Sequence, residues 1–206
     1  MSVEPKSQNR FWHHDISIRE MLGDKYEDFD RMFDLTDRVP GSYTRLNCAK
    51  LYEWAMQLNA QDVVVEIGVD QGRSASILLH CANQKGNRVL LIDSWESILF
   101  TNYWRVANLV SKFPMVRAGI VHGKSDEVVD EKCFDRIDML HIDANHYYGG
   151  VDVDCELWLP KLKSGGIVLF HDYASSFEAV TASVDKYTDG WEDLGSYDSL
   201  AVRRKP

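Results

Sequence analysis

Two stretches of this sequence hold residues whose types and spacing can do chemistry. The first runs from Asp62 through Val63, Val64, Val65, Glu66, Ile67, Gly68, Val69, Asp70, Gln71, Gly72 and Arg73 to Ser74. An apolar run stops at Glu66 and turns through two glycines toward a helix. Gly68 and Gly72 let the backbone approach a ligand without Cβ interference, and the free N–H groups of an incoming helix favour a carboxylate or phosphate. The second stretch comes in two pieces, His141-Ile142-Asp143-Ala144-Asn145-His146-Tyr147-Tyr148 and Phe170-His171-Asp172-Tyr173. If both pieces leave neighbouring strands, about 4.8 Å apart, Asp143 and Asp172 can reach one cation, with His171 as a third ligand. A magnesium or manganese ion with open positions binds a hydroxyl and lowers its pKa. His146, three residues beyond Asp143, is then placed to take the proton. A purely structural role competes: Asp172 capping the next helix and His171 satisfying a local hydrogen bond.

For these pieces to meet, they must lie at the ends of strands in one sheet. From Asp62 onward short β-branched runs alternate with longer amphipathic stretches, the mark of parallel βαβ units. Strands are predicted at 63–67, 89–92, 116–121, 137–142 and 167–170. Helices are predicted at 73–83, 101–113, 125–129, 151–162 and 177–187. Residues 191–197 and 200–204, joined at Asp198-Ser199, read as a closing antiparallel pair. The expected fold is α/β: a Rossmann-like, doubly wound, mainly parallel sheet of about seven strands. An N-terminal helical cap precedes it, with one helix over 16–37, the Pro40-Gly41 break, and a second helix over 46–58. The division is therefore a cap at 1–45 and a ligand-binding domain at 46–206. Phe11-Trp12-His13-His14 reads equally as a substrate lid or as a surface anchor of the N-terminal arm.

Ligands of such sheets sit beyond the carboxyl ends of the strands where strand order reverses. That rule selects 66–74, 93–95, 123–126, 143–148 and 171–173. Asp93 closes the second strand at the offset where an acid meets a ribose, so glycine turn and distal acid point to a ribonucleoside cofactor. Dinucleotide sites usually need Gly-x-Gly-x-x-Gly, and here position 70 is Asp; a pyrophosphate beside Glu66 and Asp70 would be repelled. S-adenosylmethionine, with an ammonium, a sulfonium and one carboxylate, suits the acidic loop better. An NAD-dependent oxidoreductase is the weaker alternative.

At 206 residues the length suits one domain with a full core. Lys and Arg total 23 against 32 Asp and Glu, and the formal charge of −9 offers no general attraction to a phosphate backbone or an anionic membrane. Nucleic acid and membrane are not expected partners. Met1 to Arg10 is polar and no apolar run reaches membrane length, so a soluble, cytoplasmic protein is expected. Cys48, Cys81, Cys133 and Cys155 are scattered without a Cys-x-x-Cys pair and read as buried free thiols. Trp54, Trp104 and Trp158 lie on helices and fill the core or cover the sheet; the other reading is an oligomer contact, and a homo-oligomer is the expectation.

Taken together, the loop at 66–74, Asp93, Asp143 with His146, and Gly165-Gly166 leading to His171-Asp172 resemble the class I S-adenosylmethionine-dependent methyltransferases. The likeness runs from about Leu46 to the C-terminus. It points to the group of small-molecule O-methyltransferases that includes macrocin O-methyltransferase and the mycinamicin-type sugar methyltransferases. The resemblance implies Glu66, Gly68 and Ser74 around the methionine moiety, with Asp70 and Gly72 in the same loop. It implies Asp93 on the ribose hydroxyls and Ser125 and Asp126 near the adenine, with Asp143 beside the cofactor. Magnesium would sit on Asp143, His171 and Asp172, with His146 as the base. Position 171 is usually Glu or Asp in relatives with a magnesium site, so histidine makes the ligand set less purely oxygen. The implied activity is O-methyl transfer to a hydroxyl of a sugar or natural product. Hydroxylases and accessory enzymes of biosynthetic pathways share the fold and form the alternative.

Overall fold

The structure, a computed structural model, describes residues 8–96, 101–130, 136–147 and 149–206, with backbone alone for 8–14. Seven strands form one sheet: β1 (Val63–Ile67), β2 (Arg88–Asp93), β3 (Arg117–His122), β4 (Ile137–Ile142), β5 (Leu162–Phe170), β6 (Glu192–Tyr197) and β7 (Leu200–Arg204). Their order is β3-β2-β1-β4-β5-β7-β6. The first five are parallel, and β7 runs antiparallel to both β5 and β6. The chain therefore winds outward from β1 to β3, then returns to the other side of β1 with β4. Strand order reverses between the carboxyl ends of β1 and β4, and the expected doubly wound sheet with its antiparallel closing pair is what the chain adopts.

Every residue of β1 and β4 is buried, as continuous Val- and Ile-rich runs require when helices cover both faces of a sheet. Alternate residues serve opposite faces. Val64, Val89, Leu91, Met139 and Leu169 face Ile18, Phe29, Leu51, Tyr52 and Leu78. These come from α1 (Gln8–Leu22), α2 (Tyr26–Thr36), α3 (Arg45–Ala55) and α4 (Arg73–Lys85). Val63, Val65, Ile67, Leu140, Ile142 and Val168 face Val151, Cys155 and Trp158 of α7 (Gly150–Trp158) and Val180 and Val184 of α8 (Glu178–Tyr187). α5 (Thr101–Ser111) and the short α6 (Ser125–Val128) complete the α-helices among the described residues. The N-terminal helices thus share one core with a face of the sheet.

Two expectations about element bounds are corrected. The helix expected over 16–37 is two, because Gly23 takes a left-handed φ of +55° and a 3₁₀ turn at Gly23–Lys25 separates α1 from α2. The helix expected over 151–162 ends at Trp158, where Pro160 sits in a 3₁₀ turn at Leu159–Lys161. β5 then begins at Leu162, not at Ile167. Ile137 pairs with Leu162 and Met139 with Ile167, a register shift that takes up the residues around Gly165, whose φ is +74°. Lys205 Nζ holds this corner by donating to the carbonyls of Leu159, Pro160 and Leu162 at 2.8, 3.2 and 2.7 Å.

Cys48, Cys81 and Cys155 are buried free thiols, and Cys133 lies outside the described residues. Trp158 is fully buried and Trp54 half-buried, whereas Trp104 is 67% exposed. The side chains of Phe11, Trp12, His13 and His14 lie outside the described residues. Among the described residues no helix is long and apolar enough to cross a membrane.

Gly68 carries the tightest constraint in the fold. A Cβ there would lie 2.1 Å from the Asp143 carbonyl oxygen and 2.7 Å from the Ala144 Cα, and its φ is +86°. Gly68→Ala is expected to lower the unfolding free energy by at least about 3 kcal/mol in urea titration. Gly86→Ala, at φ +79° with its nearest neighbour 3.6 Å away, is expected to lose about 1 kcal/mol. Similar losses at both positions would refute the backbone contact as the cause.

Candidate active site

Above the reversal point lies a crevice of about 1020 Å³ lined by the loops that follow β1, β2, β3, β4 and β5. The loop after β1 is held by Asp93 at the end of β2. Asp93 Oδ2 accepts from the backbone N–H groups of Val69 and Asp70, both at 2.8 Å, and Oδ1 accepts from Trp95 N at 2.8 Å. Trp95 Nε1 returns a bond to the Asp70 carbonyl at 2.9 Å, and Asn102 on α5 donates to the Asp70 carboxylate at 2.7 Å. Asp70 and Trp95 both adopt left-handed backbone, φ +46° and +42°, so this clamp over-determines strained turns. Oδ2 is thus filled by two donors, whereas Oδ1, with one, keeps lone-pair capacity for a ligand hydroxyl.

At the other end, the loops after β4 and β5 bring two carboxylates and two imidazoles together. His146 Nε2 lies 2.8 Å from Asp172 Oδ2 and 3.6 Å from Asp143 Oδ1. His171 Nδ1 lies 3.2 Å from each of the same two oxygens. Asp172 sits at φ +61°, a conformation Asp tolerates. Asp143 and Asp172 together push the His146 imidazole up to about 9. Burial works against charge on His171, but the same two carboxylates outweigh it and lift it to about 9 as well. Burial likewise opposes the charge on Asp172, yet His146 and His171 hold its carboxyl well below the usual range. Asp143 is lowered for the same reasons.

Beneath this cluster runs a buried chain. Tyr43 O–H donates to His141 Nε2, and His141 Nδ1 donates to Glu66 Oε1 at 3.0 Å. Glu66 and His141 are 0% exposed, and Glu66 Oε2 has no hydrogen-bond partner among the described residues. The Tyr43 ring stacks on His171 at 4.3 Å and 15°. The segment leading into α3 thereby braces the imidazole that touches both aspartates.

Residues 65–173, from β1 to the loop after β5, match the model of a family described as a methyltransferase domain. The chain belongs to this methyltransferase family. Over 46 residues it is 44% identical to the uncharacterized protein y4gI of Sinorhizobium fredii, a stretch that spans 22% of this chain and 5% of that protein. Among solved structures, it is similar to the SAH-bound methyltransferase PaMTH1 of Podospora anserina, with TM-score 0.66 and 14% identity, covering 100% of this chain and 99% of that one. It is also similar to the O-methyltransferase TomG of Streptomyces achromogenes, involved in tomaymycin synthesis and solved with SAM, with TM-score 0.66 and 15% identity, covering 98% and 99%. At these identities the likeness is one of fold.

In this member of the family the crevice gathers Gly68, Asp70, Asp93, Ser125, Asp126, Asp143, His146, His171 and Asp172. Three of the residues expected at the cofactor do not line it. Glu66 points into the core to meet His141. Ser74 is buried in the first turn of α4. Gly72 starts α4 at φ +91°, and a Cβ there would meet Leu109 and Val106 of α5 at 3.1 and 3.3 Å, so its lack of a side chain serves packing. Gly68 likewise makes room for the loop after β4. His146 also stands closer to the carboxylates than a base set apart from a metal would, since its Nε2 and the Asp143 and Asp172 oxygens lie within 4.8 Å of one another.

Tyr43 and Asp154 are among the crevice residues that were not singled out from the sequence. Tyr43 follows no strand, so the strand-end rule passes over it. Asp154 lies a full turn into α7, where a carboxylate reads as a solvated helix position. It is 2% exposed and accepts a hydrogen bond from Ser125 Oγ. Burial pushes its carboxyl up to about 6, with Asp126 adding to the rise and Ser125 opposing it. The folded chain therefore holds this proton to about pH 6, while the unfolded chain releases it near 3.8. Its contribution to stability is full below 3.8 and is lost as pH rises through 6. Asp154→Asn, which keeps an acceptor for Ser125, is expected to stabilise the protein by about 1–3 kcal/mol at pH 7–8. The gain should shrink toward zero near pH 4, as read by thermal melts across that range.

Proposed function

We propose that this methyltransferase uses S-adenosylmethionine to methylate a hydroxyl of a small molecule, a sugar or natural product, with help from a divalent cation. The observation that carries the reading is the presence, in one crevice, of a clamped glycine loop and a cluster of two carboxylates and two imidazoles. Bound there, S-adenosylmethionine supplies an electrophilic methyl group. The amides and acids around Gly68, Asp70 and Asp93 hold the nucleoside and its cationic groups. Asp143 and Asp172, with His171 Nδ1 as third donor, would hold such a cation, which would supply a lowered pKa to a hydroxyl beside it.

The donor set fits such an ion. Atoms about 3 Å apart are the spacing of adjacent ligands on one small cation, and a mixed nitrogen and oxygen set takes Mn²⁺ at least as readily as Mg²⁺. Ser199 Oγ lies 3.3 Å from His171 Nε2, so it can accept from that nitrogen and leave the Nδ1 lone pair free. His146 stacks on the exposed Phe177 ring at 4.5 Å. It takes the hydroxyl proton at Nε2, and Asp172 stabilises the imidazolium that results. The remaining work of the chain is to orient the two reactants and exclude water.

His146→Ala is expected to keep S-adenosylhomocysteine binding by calorimetry and to lower methyl transfer by about 10²- to 10⁴-fold in a radiolabel assay over a panel of hydroxyl acceptors. Full activity in the variant would remove His146 from the mechanism. Because His146 must be neutral to act and is lifted to about 9, kcat/KM without added cation should climb with pH up to about 9. Added Mn²⁺ or Mg²⁺, by offsetting the two carboxylates, should move the rise to lower pH. A pH profile with no ascending limb between 7 and 9 would contradict that role.

A further inference from the structure

Tyr43, His141 and Glu66 form a polar chain whose burial works against the fold. They are 5%, 0% and 0% exposed, and Glu66 Oε2 has no hydrogen-bond partner among the described residues. A buried carboxylate with an unfilled oxygen costs free energy, and apolar side chains of similar volume would fill the same space without that cost. What a polar chain supplies is direction, because each hydrogen bond fixes the orientation of the next group. Glu66 Oε1 accepts from His141 Nδ1 at 3.0 Å, so His141 Nε2 accepts from the Tyr43 hydroxyl, and the two rings stand edge to face at 79°.

The chain ends in the Tyr43 ring, which lies almost parallel to the His171 imidazole with centroids 4.3 Å apart. The backbone that carries Tyr43 is anchored on both sides. Arg73 donates to the carbonyls of Asp37 and Val39 at 3.3 and 2.9 Å, and Thr44 Oγ1 caps α3 by accepting from Asn47 N at 3.1 Å. With its hydroxyl and its backbone both held, Tyr43 presents a fixed flat face. The polar contacts of His171 itself lie at its two nitrogens: Nδ1 is 3.2 Å from Asp143 Oδ1 and Asp172 Oδ2, and Nε2 is 3.3 Å from Ser199 Oγ. Those contacts leave the tilt of the ring plane open. The tilt matters because the Nδ1 lone pair lies in that plane, and a ligand distance tolerates only about 0.2 Å.

We propose that Tyr43, anchored by the His141–Glu66 pair, is a positioning residue that sets the plane of the His171 imidazole and so aims Nδ1 at a cation on Asp143 and Asp172. This rests on the cation reading above. It gives Glu66 and His141 a part in the site although neither lines the crevice. They act on a cation ligand through Tyr43, not on the cofactor.

Mn²⁺ titration, read from the electron paramagnetic resonance of the free ion, tests the assignment on wild type, Tyr43→Phe and Tyr43→Leu. Spin-echo modulation of the bound ion reports a directly bonded nitrogen. Wild type should bind Mn²⁺ and show an imidazole coupling that His171→Ala removes. Tyr43→Phe keeps the stacked face and loses the anchor, and should bind Mn²⁺ about three- to ten-fold more weakly with the coupling retained. Tyr43→Leu loses face and anchor, and should bind about 10- to 100-fold more weakly with the coupling gone. Wild-type Mn²⁺ affinity in Tyr43→Phe would overturn the assignment, and so would a folded Tyr43→Leu with the coupling intact. Should circular dichroism show Tyr43→Leu unfolded, Tyr43→Phe decides alone. Wild type that binds Mn²⁺ without an imidazole coupling would overturn the role of Tyr43 and leave the cation reading standing. Wild type that binds no Mn²⁺ would remove the cation reading, and the role of Tyr43 with it.

Discussion

The backbone after β1 touches the backbone after β4 at Gly68, and everything that makes this molecule a candidate enzyme depends on that contact. With no side chain at position 68 the two loops cross at van der Waals distance, and β1 and β4 remain neighbours to their carboxyl ends. The reversal of strand order at the same place opens a crevice above them. A side chain at 68 would push the Asp143 loop away, and Asp143 would lose its place beside His146 and His171. The constraint is steric rather than energetic in origin: two chains cannot share the same space.

The crevice is acidic, and the way its acids are accommodated sets what it can bind. Asp70, Asp93, Glu96, Asp126, Asp143, Asp154 and Asp172 line it, against Arg73 and Lys124. Arg73 is engaged outside the crevice with Asp37 at 2.7 Å, and Lys124 offsets only Glu96, at 3.2 Å. Asp93 is satisfied by three backbone amides, which leave its charge uncancelled. Asp143 and Asp172 share two imidazoles that can give up their protons. The residual field is negative and favours a ligand with net positive charge, or a metal ion, over a pyrophosphate. This electrostatic selection agrees with the methyltransferase family to which the chain belongs.

The buried chain from Glu66 through His141 to Tyr43 shows how the N-terminal region joins the chemistry. Its hydrogen bonds cross from β1 to β4 and up to the segment before α3, and the tyrosine ring then stacks on His171. At the start of α3, Thr44 Oγ1 donates to Asp198 at 2.6 Å and Asn47 Nδ2 to the Tyr197 carbonyl at 2.7 Å, tying that helix to the β6–β7 hairpin. Ser199 in that hairpin reaches His171 from the opposite side. One imidazole is thus held by three distant segments of chain, and no single segment could orient it alone.

Much of this was legible in the sequence, because local periodicity and the strand-end rule are themselves physical. The β-branched runs marked the five parallel strands, the Asp198-Ser199 turn marked the closing pair, and Asp93, Asp143, His146, His171 and Asp172 all follow strands and meet in one crevice. The helix breaks at Gly23 and Pro160 were visible as residues but not as outcomes, since apolar spacing carried across both. What the chain order could not reveal was the direction in which side chains point once the sheet closes. Glu66 turns inward to His141, Ser74 and Gly72 serve packing, and Tyr43 and Asp154 enter the crevice from places that no strand end marks. The sequence by itself determined the sheet, its ligand-bearing edge and the acids there, because these follow from short-range patterning. The tertiary structure alone decided which of those groups share a cavity and a proton. Separations of about 3 Å between residues tens or a hundred positions apart arise only when the whole core is packed.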